Sequence, residues 1–275
     1  MKISEIIDRI LAYHPNIENY GSNRERDCDR YKCGDSDQEC TGILVSIAAP
    51  VRIVEKAIEL GCNLIIVHEP VFYTHADFTD WLVGDEVFDR KMELINKHGI
   101  VIWRDHDHIH RHKPDGIGQG VMMELGWQDY LISENRDKPN DFRLPQTTVR
   151  ELACYLKEKL CMDTVRVIGN IDAVVSTVSF VGHVWDGDDA YQRKITKKVI
   201  DEGIDVVIPS ECIDWTITSY MRDAGQLGLN KAMIQLGHMN REELGMKWAV
   251  NWISDLVDHQ VPVTFHPAAD MYQYV

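Results

Sequence analysis

The chain has 275 residues, with 44 Asp plus Glu against 29 Lys plus Arg, a formal net charge of −15, and 44% hydrophobic residues. At roughly 100–200 residues per domain, that length makes one large folded domain or two small ones. The acidity argues against nucleic acid or an anionic membrane surface as the main partner, because phosphate binding needs clustered Lys and Arg.

No stretch approaches the roughly 18 consecutive apolar residues of a transmembrane helix. Met1-Lys2-Ile3-Ser4-Glu5 lacks a basic segment followed by an apolar one, so the expected location is cytoplasmic. Seven cysteines spread over the chain suit a reducing compartment better than a disulfide framework. Cys28, Cys33 and Cys40 follow a Cys-x4-Cys-x6-Cys spacing, which is not that of a zinc knuckle, and read as unpaired thiols.

In chain order, Ile6, Ile7, Ile10 and Leu11 recur at helical spacing behind Ser4, a potential cap. The polar stretch from Asn19 to Glu39 reads as a long loop. A strand is expected over Gly42 to Ala48, then a helix from Pro50 to Leu60 and a short apolar strand from Asn63 to Val67. Further alternation predicts a helix over Glu86 to Lys97, a strand over Ile100 to Trp103 and a helix over Gly116 to Leu125. The polar run Asn135 to Asp141 breaks the pattern and suggests a subdomain edge. Beyond it, Thr147 or Thr148 caps a helix to Leu160. Strands follow at Val165 to Ile168 and Val174 to Val181, then a helix at Ala190 to Glu202. The last third alternates strands at Val206 to Ile208, Ala232 to Leu236 and Val261 to Phe265 with helices near Trp215 to Leu227 and Arg241 to Asp258. Such alternation predicts an α/β protein with mostly parallel sheets.

Laid without gaps on Thr196 to Cys212, the segment Val54 to Pro70 gives five identities: Lys56/Lys198, Ile58/Ile200, Gly61/Gly203, Ile66/Ile208 and Glu69/Glu211. Both copies read helix, Gly stop, buried strand, then Glu beyond the carboxyl end of the strand. Duplication and the general likeness of any two helix-strand units both account for this. Either way, each half presents a Glu at the strand end where α/β proteins place their sites.

Five of the 12 histidines fall between His98 and His112, most of them in Arg104-Asp105-His106-Asp107-His108-Ile109-His110-Arg111-His112. Alternating His and Asp after a strand supply imidazole nitrogens and carboxylate oxygens, the donors that bind Zn, Fe or Mn. The same run would equally serve as a solvated polar loop. A second group, His68-Glu69-Pro70, follows the strand Leu64 to Val67. A third, Gly237-His238-Met239-Asn240-Arg241-Glu242, sets His238 and Glu242 at i and i+4 on one face of a first helical turn. All three groups follow strand ends and could converge at one sheet edge.

These segments, together with Pro114-Asp115-Gly116-Ile117, Leu125-Gly126 and the closing Gly-His-x3-Glu, resemble the Nif-three-like dinuclear metal center family, also known as GTP cyclohydrolase 1 type 2 homologues. The resemblance implies two interleaved α/β units, here 1–130 plus 229–275 and 131–228, a metal site at strand carboxyl ends, and a homohexamer. The family's first motif normally reads His-His-Pro and its second His-Thr-Asn-Leu-Asp. Here Glu69 stands where the second His is usual and His110 where the Asp is usual, a reciprocal exchange that keeps the donor inventory.

By that resemblance two divalent ions (Zn, Fe or Mn) are expected, with His68, His106 and His238 on one, Glu69 and His110 on the other, and Glu242 bridging. His108 and Asp107 are reserve ligands. Glu211 matches a family position near the metals and, with Glu242, is a candidate catalytic residue that moves protons. The implied activity is metal-dependent hydrolysis, as in the opening of a purine ring by a GTP cyclohydrolase. The alternative is a non-catalytic metal-binding, metal-delivery or scaffold protein. The substrate itself is not legible: there is no Gly-x4-Gly-Lys-Ser/Thr phosphate loop.

Overall fold

The computed structural model describes residues 1–14, 28–185, 189–268, 271–273 and 275. The expected loop from Asn19 to Glu39 therefore lies outside the described residues as far as position 27. The chain divides into two compact units, Met1–Val121 with Glu242–Ala268, and Met122–Arg241 with Ala269–Val275.

The first unit contains helix α1 (Ile3–Tyr13), strands β1 (Tyr31–Cys33) and β2 (Ile43–Ser46), helix α2 (Val51–Leu60), strand β3 (Leu64–Val67), helix α3 (Glu86–Lys97), strand β4 (Val101–Arg104) and helix α4 (Asp107–Arg111). Helix α5 (Gly116–Glu124) follows and contains the first boundary between the units. The second unit contains β5 (Asp141–Thr148), α6 (Val149–Lys159), β6 (Arg166–Gly169), β7 (Val174–Val181), α7 (Asp189–Asp201), β8 (Val206–Pro209), α8 (Ile217–Gln226) and β9 (Ala232–Gln235). Helix α9 (His238–Leu256) contains the second boundary, and β10 (Val263–Phe265) completes the first unit.

Each unit is built on a five-stranded sheet. The first has the order β1-β4-β3-β2-β10 and is parallel except for β1. The second has the order β5-β7-β8-β9-β6, with β7, β8 and β9 parallel and both edges antiparallel. The four-residue strands β2, β3, β4, β8 and β9 are buried throughout, as apolar runs covered on both faces must be. In the first unit Leu44, Ile65, Val67 and Ile102 pack on Ile53, Val54, Ala57 and Ile95 of the helices. In the second, Val207 and Met233 pack on Ile195, Val199 and Met221.

Local chemistry sets several element ends. Gly61 (φ +71°) and Gly203 (φ +66°) adopt the left-handed conformation that stops α2 and α7. Thr148 caps α6 by accepting from the Glu151 amide, while Glu151 accepts from the Thr148 amide at 2.9 Å. Ser4 does not cap α1. That helix begins one residue earlier, and Glu5 accepts the Lys2 amide at 3.0 Å.

Three elements differ from the sequence reading. Within the expected loop from Asn19 to Glu39, Tyr31–Cys33 forms β1, which pairs antiparallel with β4 at the sheet edge. The residues from Asp141 onward form β5, an edge strand whose register shifts between Arg143 and Thr147, around Pro145, which donates no ladder hydrogen bond. The His-rich run is a short helix, α4, rather than an open loop.

Candidate metal centre

In the first unit β3 and β4 pair in parallel with Val67 opposite Arg104, so their carboxyl ends are neighbours. The Asp105 amide donates to the Val67 carbonyl at 2.8 Å and extends this pairing one step beyond the strands. His68 and Glu69 leave one strand end and His106 the other. The His68 and His106 rings stack with centroids 4.6 Å apart, and His110 meets both edge-on at 4.8 and 5.1 Å.

Each of these imidazoles has one nitrogen committed. The Nδ1–H of His68 donates to the Asp105 carbonyl at 2.9 Å, that of His106 to the Asp107 carboxylate at 2.8 Å, and that of His110 to Asp115 at 3.0 Å. In a neutral ring such an acceptor fixes the tautomer with its proton on Nδ1, the arrangement that orients a metal-ligating histidine. His68 Nε2 is fully buried without a hydrogen-bond partner, and the nearest carboxylate oxygen, from Glu242, is 3.4 Å away. Burial, followed by the neighbouring His68 and His110 rings, lowers the pKa of His106 and keeps it neutral.

Two overlapping donor groups result, His68-His106-His110 and His68-Glu69-Glu242, each with donor atoms within 4.8 Å of one another. Glu69 and Glu242 are both buried. The Arg104 guanidinium lies 3.9 Å from Glu69, and a bound cation would further offset the cost of holding two carboxylates out of water. Mixed N and O donors fit Zn, Fe or Mn.

A buried polar layer holds this arrangement. Arg104, wholly out of solvent, donates Nε–H to the His68 carbonyl at 2.8 Å and Nη1–H to the His75 carbonyl at 2.6 Å. Its charge lies 3.5 Å from Asp77, which also faces Lys32 at 3.1 Å and accepts the Val71 and Phe72 amides. Asp29 accepts the amides of His106, Asp107 and His108 at 2.7 to 2.9 Å, together with the His108 ring at 2.5 Å. Burial pushes the Asp29 carboxyl up, but these hydrogen bonds outweigh it and lower its pKa. His108, a reserve ligand in the sequence reading, is thus spent on Asp29. Asp107, the other reserve, orients His106 and also groups with Cys28. None of the seven cysteines forms a disulfide.

The structure places the remaining expected residues in the second unit. The His238 ring meets one Glu211 oxygen at 2.6 Å, and the His183 ring meets the other. His183, Glu211 and His238 follow the carboxyl ends of the three adjacent parallel strands β7, β8 and β9 and form a separate potential metal-ligand group. Burial raises the Glu211 pKa, but the two histidine hydrogen bonds prevail and hold it at about 2. Glu211 and His238 are therefore brought together, whereas Glu242, one turn beyond His238 on α9, meets His68.

Sequence reasoning missed His183, Asp29 and the orienting roles of Asp105 and Asp115. The signal available for His183 was its place two residues beyond the Val174–Val181 strand. Asp29 carried none, because its partners lie 77 to 79 positions away.

The Duf34/NIF3 (NGG1p interacting factor 3) family model matches residues 1–270. A Clostridium acetobutylicum protein named GTP cyclohydrolase 1 type 2 homolog is 22% identical over 217 residues, covering 76% of this chain and 75% of its own. Among solved structures, Staphylococcus aureus hypothetical protein SA1388 superposes with a TM-score of 0.70 at 17% identity, over 100% of this chain and 99% of that one. A Bacillus cereus protein related to NIF3 gives 0.69 at 16% identity, with the same coverage. At these identities the structural likeness speaks for the fold.

Proposed function

The chain belongs to the Duf34/NIF3 family, and we propose that it is a metal-dependent hydrolase whose centre is the His68 cluster of the first unit. The observation that carries this is the set of three imidazoles, each with Nδ1–H fixed on an oxygen, beside two buried carboxylates. The proposed donors are His68 and His106 for one ion, Glu69 and His110 for a second, and Glu242 bridging. His238, engaged by Glu211 in the second unit, is left out of this set. Each ion then has three protein donors, which leaves positions for water and substrate, as catalytic rather than structural sites do.

When bound, two such ions supply Lewis acidity and lower the pKa of water toward neutrality. The chain's own residues do the rest. Glu242 would hold the ions through one carboxylate oxygen and, through the other, carry the proton of the attacking water to the departing nitrogen of a purine or related heterocycle. Arg104 and Asp29 hold the two strand-end segments in register. Glu211, ionised at neutral pH, orients His183 and His238. The relatives' name supports the GTP cyclohydrolase type of chemistry, and a homohexamer is the proposed assembly, for which light scattering should give the mass of six chains.

The test is turnover of GTP and a panel of related heterocycles by protein loaded with Zn, Fe or Mn. Glu242→Gln should lower kcat by about 10²-fold or more while retaining fold. Absence of turnover throughout the panel by fully loaded protein would contradict the hydrolase assignment and favour a non-catalytic metal-binding role.

A further inference from the structure

The second unit has a cavity of about 460 Å³ between α7 and α8, in the size range of small-molecule sites. Trp185 and Trp215 line it and are 49% and 66% exposed, large aromatic surfaces that folding leaves in water. The Trp185 ring stacks on His183 with centroids 4.3 Å apart and planes 5° from parallel, so one face is backed and the ring is held in place.

Gln192, also lining the cavity, is only 9% exposed, yet neither its Oε1 nor its Nε2 has a hydrogen-bond partner. Thr216 sits at the N-cap position of α8 but makes no capping bond, and its buried hydroxyl is likewise unpartnered. A buried amide and hydroxyl left unmatched are costly to the fold, and both line the same cavity. Among the described residues of the lining, Arg193 and Lys197, one turn apart on α7, are the cations, Lys197 also lying 3.3 Å from Asp201, and Asp189 is the carboxylate.

We propose that this cavity binds a planar heteroaromatic ligand carrying an anionic group, as a nucleoside phosphate does. The tryptophans give stacking surfaces for the ring. Gln192 offers the paired donor and acceptor that a base edge presents, and Arg193 and Lys197 take the anion. None of these residues belongs to the His68 cluster, so the site stands independently of the metal-dependent activity.

Calorimetric titration of the full chain in chelator tests it, with GMP, AMP and UMP as probes and ribose 5-phosphate and guanosine as the ring-less and phosphate-less controls. One nucleoside monophosphate per chain should bind, with both controls weaker by about tenfold or more. Trp215→Ala, at an exposed position, and Gln192→Leu, which removes the unmatched amide, should each weaken GMP by about tenfold or more without lowering the melting temperature. Trp81→Ala, an exposed tryptophan of the first unit, should change nothing. Absence of saturable heat with every nucleotide, or unchanged GMP affinity in both Trp215→Ala and Gln192→Leu, would overturn the assignment.

Discussion

His68 shows how much of the centre one side chain can organise. Its backbone carbonyl receives Arg104, its Nδ1–H is spent on Asp105, and its Nε2 faces the carboxylate of Glu242. His106 is the residue through which pH should act. Its pKa is lowered from the ordinary 6.5 because burial penalises the charged ring. The unfolded chain then binds a proton below about 6.5 that the folded chain refuses, so stability is present above that pH and is lost as pH falls below it. Urea unfolding in chelator at pH of about 7.5 and about 5 should show this loss, and His106→Asn should flatten it. Strand-end placement made His68, Glu69 and His106 legible in the sequence. The groups that hold them were not, because Asp105 orients His68 through its backbone carbonyl and Asp29 reaches the His106 amide from a distant loop.

At the scale of elements, α4 exists where the sequence suggested an open run, because Asp29 satisfies the first amide donors of a five-residue helix too short to stand alone. Asp29→Asn keeps the shape but removes half the acceptor capacity. It should lower metal affinity about 10–100-fold, the usual effect of disturbing groups behind the ligands, as measured by competition with a chelating dye. Helices α5 and α9 meet through glycine. A Cβ on Gly120 would lie 2.8 Å from the Gly245 Cα, and one on Gly245 would lie 2.8 Å from the Ile117 Cα. Gly120→Val should therefore cost about 1–3 kcal/mol in denaturant unfolding, since backbone cannot move aside as a side-chain end can. Most helices and central strands were readable from periodicity. Strand β5 was hidden because a mixed burial pattern and Pro145 mask the alternation of an edge strand.

Over the whole molecule, the five identities between Val54–Pro70 and Thr196–Cys212 belong to a longer repetition. The order α1-β1-β2-α2-β3-α3-β4 recurs as α6-β6-β7-α7-β8-α8-β9, with β1 antiparallel to β4 as β6 is to β9. Glu69 and Glu211 each stand two residues beyond the equivalent strand, and His106 and His238 each follow the next one. Both units thus use the carboxyl ends of their parallel strands for His and Glu, and three of the 44 acidic residues behind the net charge of −15 have a place there: Glu69, Glu211 and Glu242. The fifth strand differs, β10 running parallel to β2 and β5 antiparallel to β7. Among the described residues no helix is long and apolar enough to cross a membrane. The most direct test is metal analysis of the untagged full chain beside His68→Ala and Glu242→Ala. Two transition-metal ions bound by the His68 cluster of each chain, and lost in both variants, are predicted. Less than one equivalent, unchanged by either substitution, would contradict the metal centre.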